Sequence, residues 1–154
     1  MNLPYSVSIA PSSAEVLRQT AFFRDLTKER LERIALLGRV ETYPQDVQIY
    51  TLGQGADDLY VLVDGMVRFT IGLGSRATHG GQVLKRGEVF GWAALVESAQ
   101  KRIATALAIT PCTVLAINGE QLTIMMEEDH ALGYRLMRQL NELITGNLTA
   151  FASG

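Results

Sequence analysis

Between Gly38 and Ile117 the apolar residues fall in short runs, most of them separated by turns too tight to hold a helix, and this spacing constrains the fold more than any other feature. The runs 40–43, 48–52, 59–64 and 66–73 are rich in β-branched and aromatic residues, as half-buried strands are. Pro44-Gln-Asp, Gly53-Gln-Gly and Asp64-Gly punctuate them, and Asp-Gly between two apolar runs predicts a two-residue hairpin. Gln82-Val-Leu-Lys-Arg reads as another strand, and 103–109 and 113–117 as a closing pair bent at Thr110-Pro-Cys. Strands joined this closely pair antiparallel, and enough of them wrap into a roll. The segment Gly72–Gly81 reads as the loop tip between two strands. His79 lies in it with no second His or Cys nearby, so it reads as a loop residue and not as a metal ligand.

Helices flank this region. Residues 1–11 read as a loose leader. Residues 12–37 carry a short helical start that docks Leu17, Phe22 and Phe23, then a helix with Thr27 as N-cap and Leu31, Ile34 and Ala35 on its inner face. Its charged residues, Lys28, Glu29, Arg30, Glu32 and Arg33, alternate in sign and read as a solvated face. After the strands, Asn118 with Gln121 three positions on predicts a capped helix whose apolar face is Leu122, Ile124, Met125 and Met126. The last segment begins with acids at 128 and 129, where a helix dipole favours them. It then carries a broad apolar stripe through Leu132, Leu136, Met137, Leu140, Leu143, Ile144, Leu148 and Phe151. Part of that stripe must cover the roll, and the remainder is spaced to pair with a second chain. The expected organisation is one domain over 12–154, with helices at 12–37, a β-roll at 38–117 and helices at 118–154.

The stretch from Gly87 to Thr105 carries the chemistry. A strand ends at Phe90, Gly91 permits a close turn, Trp92 to Val96 can make one helical turn, and Arg102 opens the next run. The start of a helical turn presents backbone N–H groups to an anion. An arginine returning from the loop can clamp that anion bidentately. Candidate binding residues are Gly91, Trp92, Ala93 and Ala94 on the turn, with Arg102 and Ile103 opposite. The bland reading has Arg102 in a salt bridge to Glu88 or Glu97.

These residues resemble the phosphate-binding cassette of the cyclic nucleotide-binding domain, as found in Crp/Fnr-type regulators. That pattern runs Gly-x-x-Phe-Gly-Glu-x-(Ala/Ser)-Leu, then Arg-x-Ala-(Ser/Thr). Gly87, Phe90, Gly91, Ala94 and Leu95 match, as do Arg102, Ala104 and Thr105 after a loop one residue longer. The family's glutamate, which takes the ribose 2′-hydroxyl, falls at Trp92, and an indole accepts no hydrogen bond. The resemblance implies a mainly β fold with flanking helices, an antiparallel double-stranded jelly-roll ending in a long helix. It implies a non-catalytic regulatory domain that binds a cyclic nucleotide (cAMP or cGMP) or another small anion, with no other cofactor. Trp92 would then stack on a base or cover the pocket mouth, and Arg135 and Arg138 would approach from the long helix. That helix would form a parallel homodimer through Leu136, Leu140, Leu143 and Ile144, read by an effector protein of unknown identity. The alternative is a degenerate, ligand-free module for dimerisation or docking, with Trp92 as core.

Composition narrows the remaining classes. A net charge of −2 and a pI near 5.7 give no basic footprint for nucleic acid, and no helix-turn-helix pattern follows the long helix. Two histidines, one cysteine and no triad or metal spacing argue against an enzyme. Cys112, beside a proline bend, reads as a small apolar group. With a single cysteine, no apolar leader and no membrane span, the expected location is the cytoplasm.

Overall fold

Eight strands, among the residues 12–71, 78–96 and 101–153 that the computed structural model describes, form two four-stranded antiparallel sheets. They are β1 (Gly38–Tyr43), β2 (Gln48–Tyr50), β3 (Asp58–Asp64), β4 (Val67–Ile71), β5 (Thr78–Leu84), β6 (Val89–Phe90), β7 (Thr105–Ala108) and β8 (Cys112–Asn118). One sheet runs β1-β8-β3-β6 and the other β2-β7-β4-β5. The helices are α1 (Ser13–Arg18), α2 (Lys28–Ala35), α3 (Gly119–Glu128) and α4 (His130–Ser153). The architecture is the expected antiparallel β-roll with flanking helices and a long last helix.

Strand alternation divides the core in two. On β3, Leu59 and Val61 face the helices, while Tyr60 and Leu62 face the space between the sheets. β8 repeats this, with Leu115 and Ile117 on the helical side and Val114 and Ala116 inside the roll. Leu17, Phe23, Ile34, Leu122, Leu132 and Leu136, all essentially inaccessible, complete the helical layer. The inter-sheet layer is aromatic: Phe90 stacks on Tyr60 with centroids 5.1 Å apart, and Tyr50 and Phe69 close around them.

The caps are where the sequence placed them. Thr27 Oγ1 accepts from Arg30 N–H at 3.2 Å, and Asn118 Oδ1 from Gln121 N–H at 2.9 Å. Four local expectations are corrected. The strand after the glycine-rich segment starts at Thr78, so His79 is backbone-paired with Thr70 on β5 instead of lying at a loop tip. The closing strand is shorter than 103–109, because Arg102 to Ala104 bend before β7 begins. Ile124 is 49% exposed on the far side of α3 from Leu122 and Met125. Arg30 does not belong to a solvated face, since it ties α2 to the start of α4.

That tie is the basis for a pH prediction. Asp129 accepts from Arg30 Nε and Nη2 at 2.8 and 2.9 Å, and its Oδ1 also accepts from Leu132 N–H at 3.2 Å as the cap of α4. The Arg30 donors, and then the Leu132 amide, hold its carboxyl below the usual carboxylate range. A depressed folded-state pKa contributes stability that is complete above the unfolded value, about 4, and is lost as pH falls through the folded value. The stability gap between the wild type and Asp129→Asn should therefore be constant above about pH 5 and shrink below about pH 4. Chemical denaturation across that range measures it, and a gap independent of pH would refute the assignment.

Candidate functional site: a buried arginine at the cassette turn

Gly91 begins the site. It has φ of 79°, in the left-handed region, and from it Trp92–Leu95 make a single 3₁₀ turn. A side chain at Gly91 would meet Tyr60 Cδ2 at 2.9 Å and Arg102 Nη1 at 3.1 Å, so the backbone here passes directly against the arginine. The Arg102 backbone is held from both sides: its N–H donates to Gln54 O, and its carbonyl accepts from Gly53 N–H, each at 2.8 Å.

Held this way, the Arg102 side chain runs into the roll and is only 4% exposed. Nη1 donates to Gly91 O at 2.9 Å and Nη2 to Asp58 O at 2.6 Å. The guanidinium lies over the Tyr50 ring, 4.2 Å from its centroid, with Tyr60 at 5.6 Å. Nε is buried and has no partner.

No carboxylate among the described residues neutralises this cation. Glu88 instead accepts from the Lys85 N–H at 2.9 Å, and Glu97 lies outside the described residues. The Asp58 carboxylate is turned to Arg39 Nη2 at 2.6 Å, so only its backbone carbonyl serves Arg102. Tyr50 is no counter-ion either: burial pushes its hydroxyl well above the usual phenol range, and the nearby Arg102 charge only partly offsets this. Two charge-assisted hydrogen bonds contribute about 1.5–3 kcal/mol each, and a desolvated cation–π contact about 2 kcal/mol. The desolvation cost of a guanidinium is several kcal/mol. The charge is thus held in place without being neutralised.

The other expected site residues divide. Ala93 is buried and Ala94 half-buried on the turn, with Ala94 N–H donating to Gly91 O at 3.3 Å. Trp92 packs on the helical core layer with Val96, on the opposite side of β3 from Tyr50 and Arg102. Ile103 is 48% exposed at the bend between the buried Arg102 and Ala104. Arg135 and Arg138 are exposed and do not meet Arg102; Arg135 reaches Asp25 O at 3.5 Å, and Arg138 lies 5.8 Å from the Tyr134 centroid. Tyr50 and Tyr60, which frame the guanidinium, were not singled out from the sequence as site residues. For Tyr60 the signal was the alternation on β3, which puts it with Leu62 on the inner face; β2 has a register shift and buries both Ile49 and Tyr50 there, so no alternation marks Tyr50.

Two of the four residues named for a dimer seam are used within the protomer. Leu136 and Leu140 are 0% and 5% exposed within the protomer, packed with Leu132 on the helical layer, and Leu143 and Ile144 are half-buried against the same layer. Leu132, Leu136 and Leu140 of the stripe cover the chain's own roll, and the side chains of Leu148 and Phe151 lie outside the described residues. Among the described residues, the exposed large apolar residues of α4 are Tyr134 and Met137.

Comparisons with known proteins agree on the fold. A protein of Geobacter metallireducens GS-15 named for cyclic nucleotide binding is 31% identical, with a TM-score of 0.76 over 88% of this chain and 98% of that one. The cAMP-bound PfPKA-R fragment is also 31% identical, with a TM-score of 0.64 over 73% of this chain and 40% of that one. The Thermus thermophilus catabolite activator protein, at 24% identity and a TM-score of 0.68, shares the fold over 80% of this chain and 58% of its own. Among curated proteins no sequence matches significantly. Among the described residues no helix is long and apolar enough to cross a membrane. The sequence pattern of the cyclic nucleotide-binding domain matches residues 40–129, more than half of the chain and all but the first two residues of the stretch that builds the roll and its arginine. The chain belongs to the cyclic nucleotide-binding domain family.

Proposed function

We propose that this chain is a non-catalytic, cytoplasmic sensor domain whose Arg102 site receives a small anion, with cyclic nucleotides the first class to test. The observation that carries the reading is the buried guanidinium with no carboxylate partner and an unpartnered Nε among the described residues. An unpaired buried charge is costly, and an anion that reached Nε and displaced either carbonyl would replace neutral acceptors by a charge-matched one. The ligands in two similar structures are in keeping with this: PfPKA-R is cAMP-bound, and so is a Toxoplasma gondii PKA regulatory domain 19% identical to this chain. With Trp92 turned to the helical layer, the site has no acceptor at the position of the family's glutamate, so the ribose 2′-hydroxyl contributes nothing to affinity.

Isothermal titration with cAMP, cGMP and their 2′-deoxy analogues tests this. The expected result is saturable binding of at least one cyclic nucleotide, with the 2′-deoxy form within about twofold of it, a difference under 0.5 kcal/mol. No heat with any of them would favour the degenerate, ligand-free module. The reading does not depend on a dimer, because Arg102 and the groups that hold it, Gly91, Asp58 and Tyr50, belong to one protomer.

A further inference from the structure

A cleft of about 1040 Å³ opens on the outer side of the cassette turn, away from Arg102. Its walls are the loop Gly55–Asp57, the turn residues Ala94 to Val96, the outer face of α3 and the first turns of α4. Ile124, Tyr134 and Met137, exposed at 49%, 66% and 39%, form an apolar strip along it. Asp57, Glu120 and Glu127 line the same cleft, all three exposed and none in an ion pair among the described residues. No lysine or arginine is among its lining residues. Among the described residues His130 also lines it, Lys101 pairs through its backbone with Gly55 at one edge, and Arg138 lies over the Tyr134 ring of the strip.

An apolar strip between unpaired carboxylates is complementary to one kind of surface, an amphipathic helix with leucine-like residues on one face and lysines or arginines beside them. The volume is at the upper end of what small-ligand sites span, and a methionine wall adapts to differing side chains. We infer that this cleft docks a cationic amphipathic helix of a partner protein. The turn that forms one wall begins at Gly91, whose carbonyl holds Arg102, so the docking face and the arginine share an element. The inference nevertheless stands whether or not an anion binds at Arg102.

The test uses the full chain without nucleotide and a labelled leucine–lysine helical peptide of about 18 residues, some five turns. A leucine–glutamate peptide of the same pattern is the control. Fluorescence polarisation should show micromolar binding of the lysine peptide, weakened by salt, and none of the glutamate peptide. The double variant Glu120→Gln/Glu127→Lys and the single variant Met137→Asp should each weaken it by on the order of tenfold. Glu32→Lys, on the exposed face of α2, should leave it unchanged, and circular dichroism confirms that each variant is folded. Absent binding, or binding indifferent to the cleft substitutions, overturns the proposal. So does sedimentation that shows a dimer abolished by Met137→Asp, which would assign the cleft to a second copy of this chain.

Discussion

Gly91→Ala is expected to cost about 2–5 kcal/mol of folding stability, the sum of left-handed backbone strain of about 1–2 kcal/mol and overpacking of about 1–3 kcal/mol. The residue has φ of 79°, and an added Cβ would sit 2.9 Å from Tyr60 Cδ2, 3.1 Å from Arg102 Nη1 and 3.2 Å from Asp58 O. None of these neighbours moves freely. Tyr60 is stacked on Phe90 at 5.1 Å and on Tyr50 at 6.0 Å, Arg102 is held by two carbonyls, and Asp58 O belongs to a central strand. Gly53→Ala separates the two contributions. Gly53 also has positive φ, 85°, but nothing lies within 4 Å of its Cβ position, so it should lose only about 1–2 kcal/mol. Urea denaturation of both variants measures the difference. If the two lose the same amount, the cassette turn is not packed against the arginine as described.

Much of this architecture was legible because it rests on local chemistry. Tight turns between β-branched runs predict antiparallel strands, and a threonine or asparagine before a helical pattern predicts a cap. The predicted caps, Thr27 and Asn118, hold in the structure, and Gly91 does adopt the conformation its position demands. What was not legible depends on which of two faces a side chain takes once the layers assemble. Trp92 follows a left-handed glycine at the start of a turn, and nothing in its neighbours decides between the roll interior and the helical layer. The stripe of α4 reads as a single surface in sequence, yet Leu132, Leu136 and Leu140 at four-residue spacing are used internally while Tyr134 and Met137 remain outside. Arg102 was read as paired with an anion or with a carboxylate. A third arrangement, with neutral backbone carbonyls and an aromatic face as its partners, requires the two sheets to be in place.

Replacing Arg102 by methionine decides between a sensor and a vestigial roll. A buried charge exchanged for an apolar side chain of similar volume is often neutral or stabilising, provided no acceptor is stranded. Gly91 O retains Ala94 N–H as a donor at 3.3 Å, so the acceptor stranded here is Asp58 O, a loss of about 1–3 kcal/mol. Methionine also keeps contact with the Tyr50 ring through its thioether. Arg102→Met should therefore fold within about 2 kcal/mol of the wild type, since the packing is kept and removal of an unneutralised charge offsets the stranded carbonyl. Its response to ligand should differ completely. A cyclic nucleotide present at 100 times its dissociation constant stabilises the wild type by about 2.7 kcal/mol, and that gain should vanish in the variant. Thermal melts with and without nucleotide give both quantities in one experiment. A variant that loses more than about 3 kcal/mol, the cost of breaking a structural buried ion contact, beside a wild type indifferent to nucleotide, would make Arg102 a structural post. The roll would then be a scaffold for the surfaces around it, and its arginine a substitute for the ligand rather than a receptor for one.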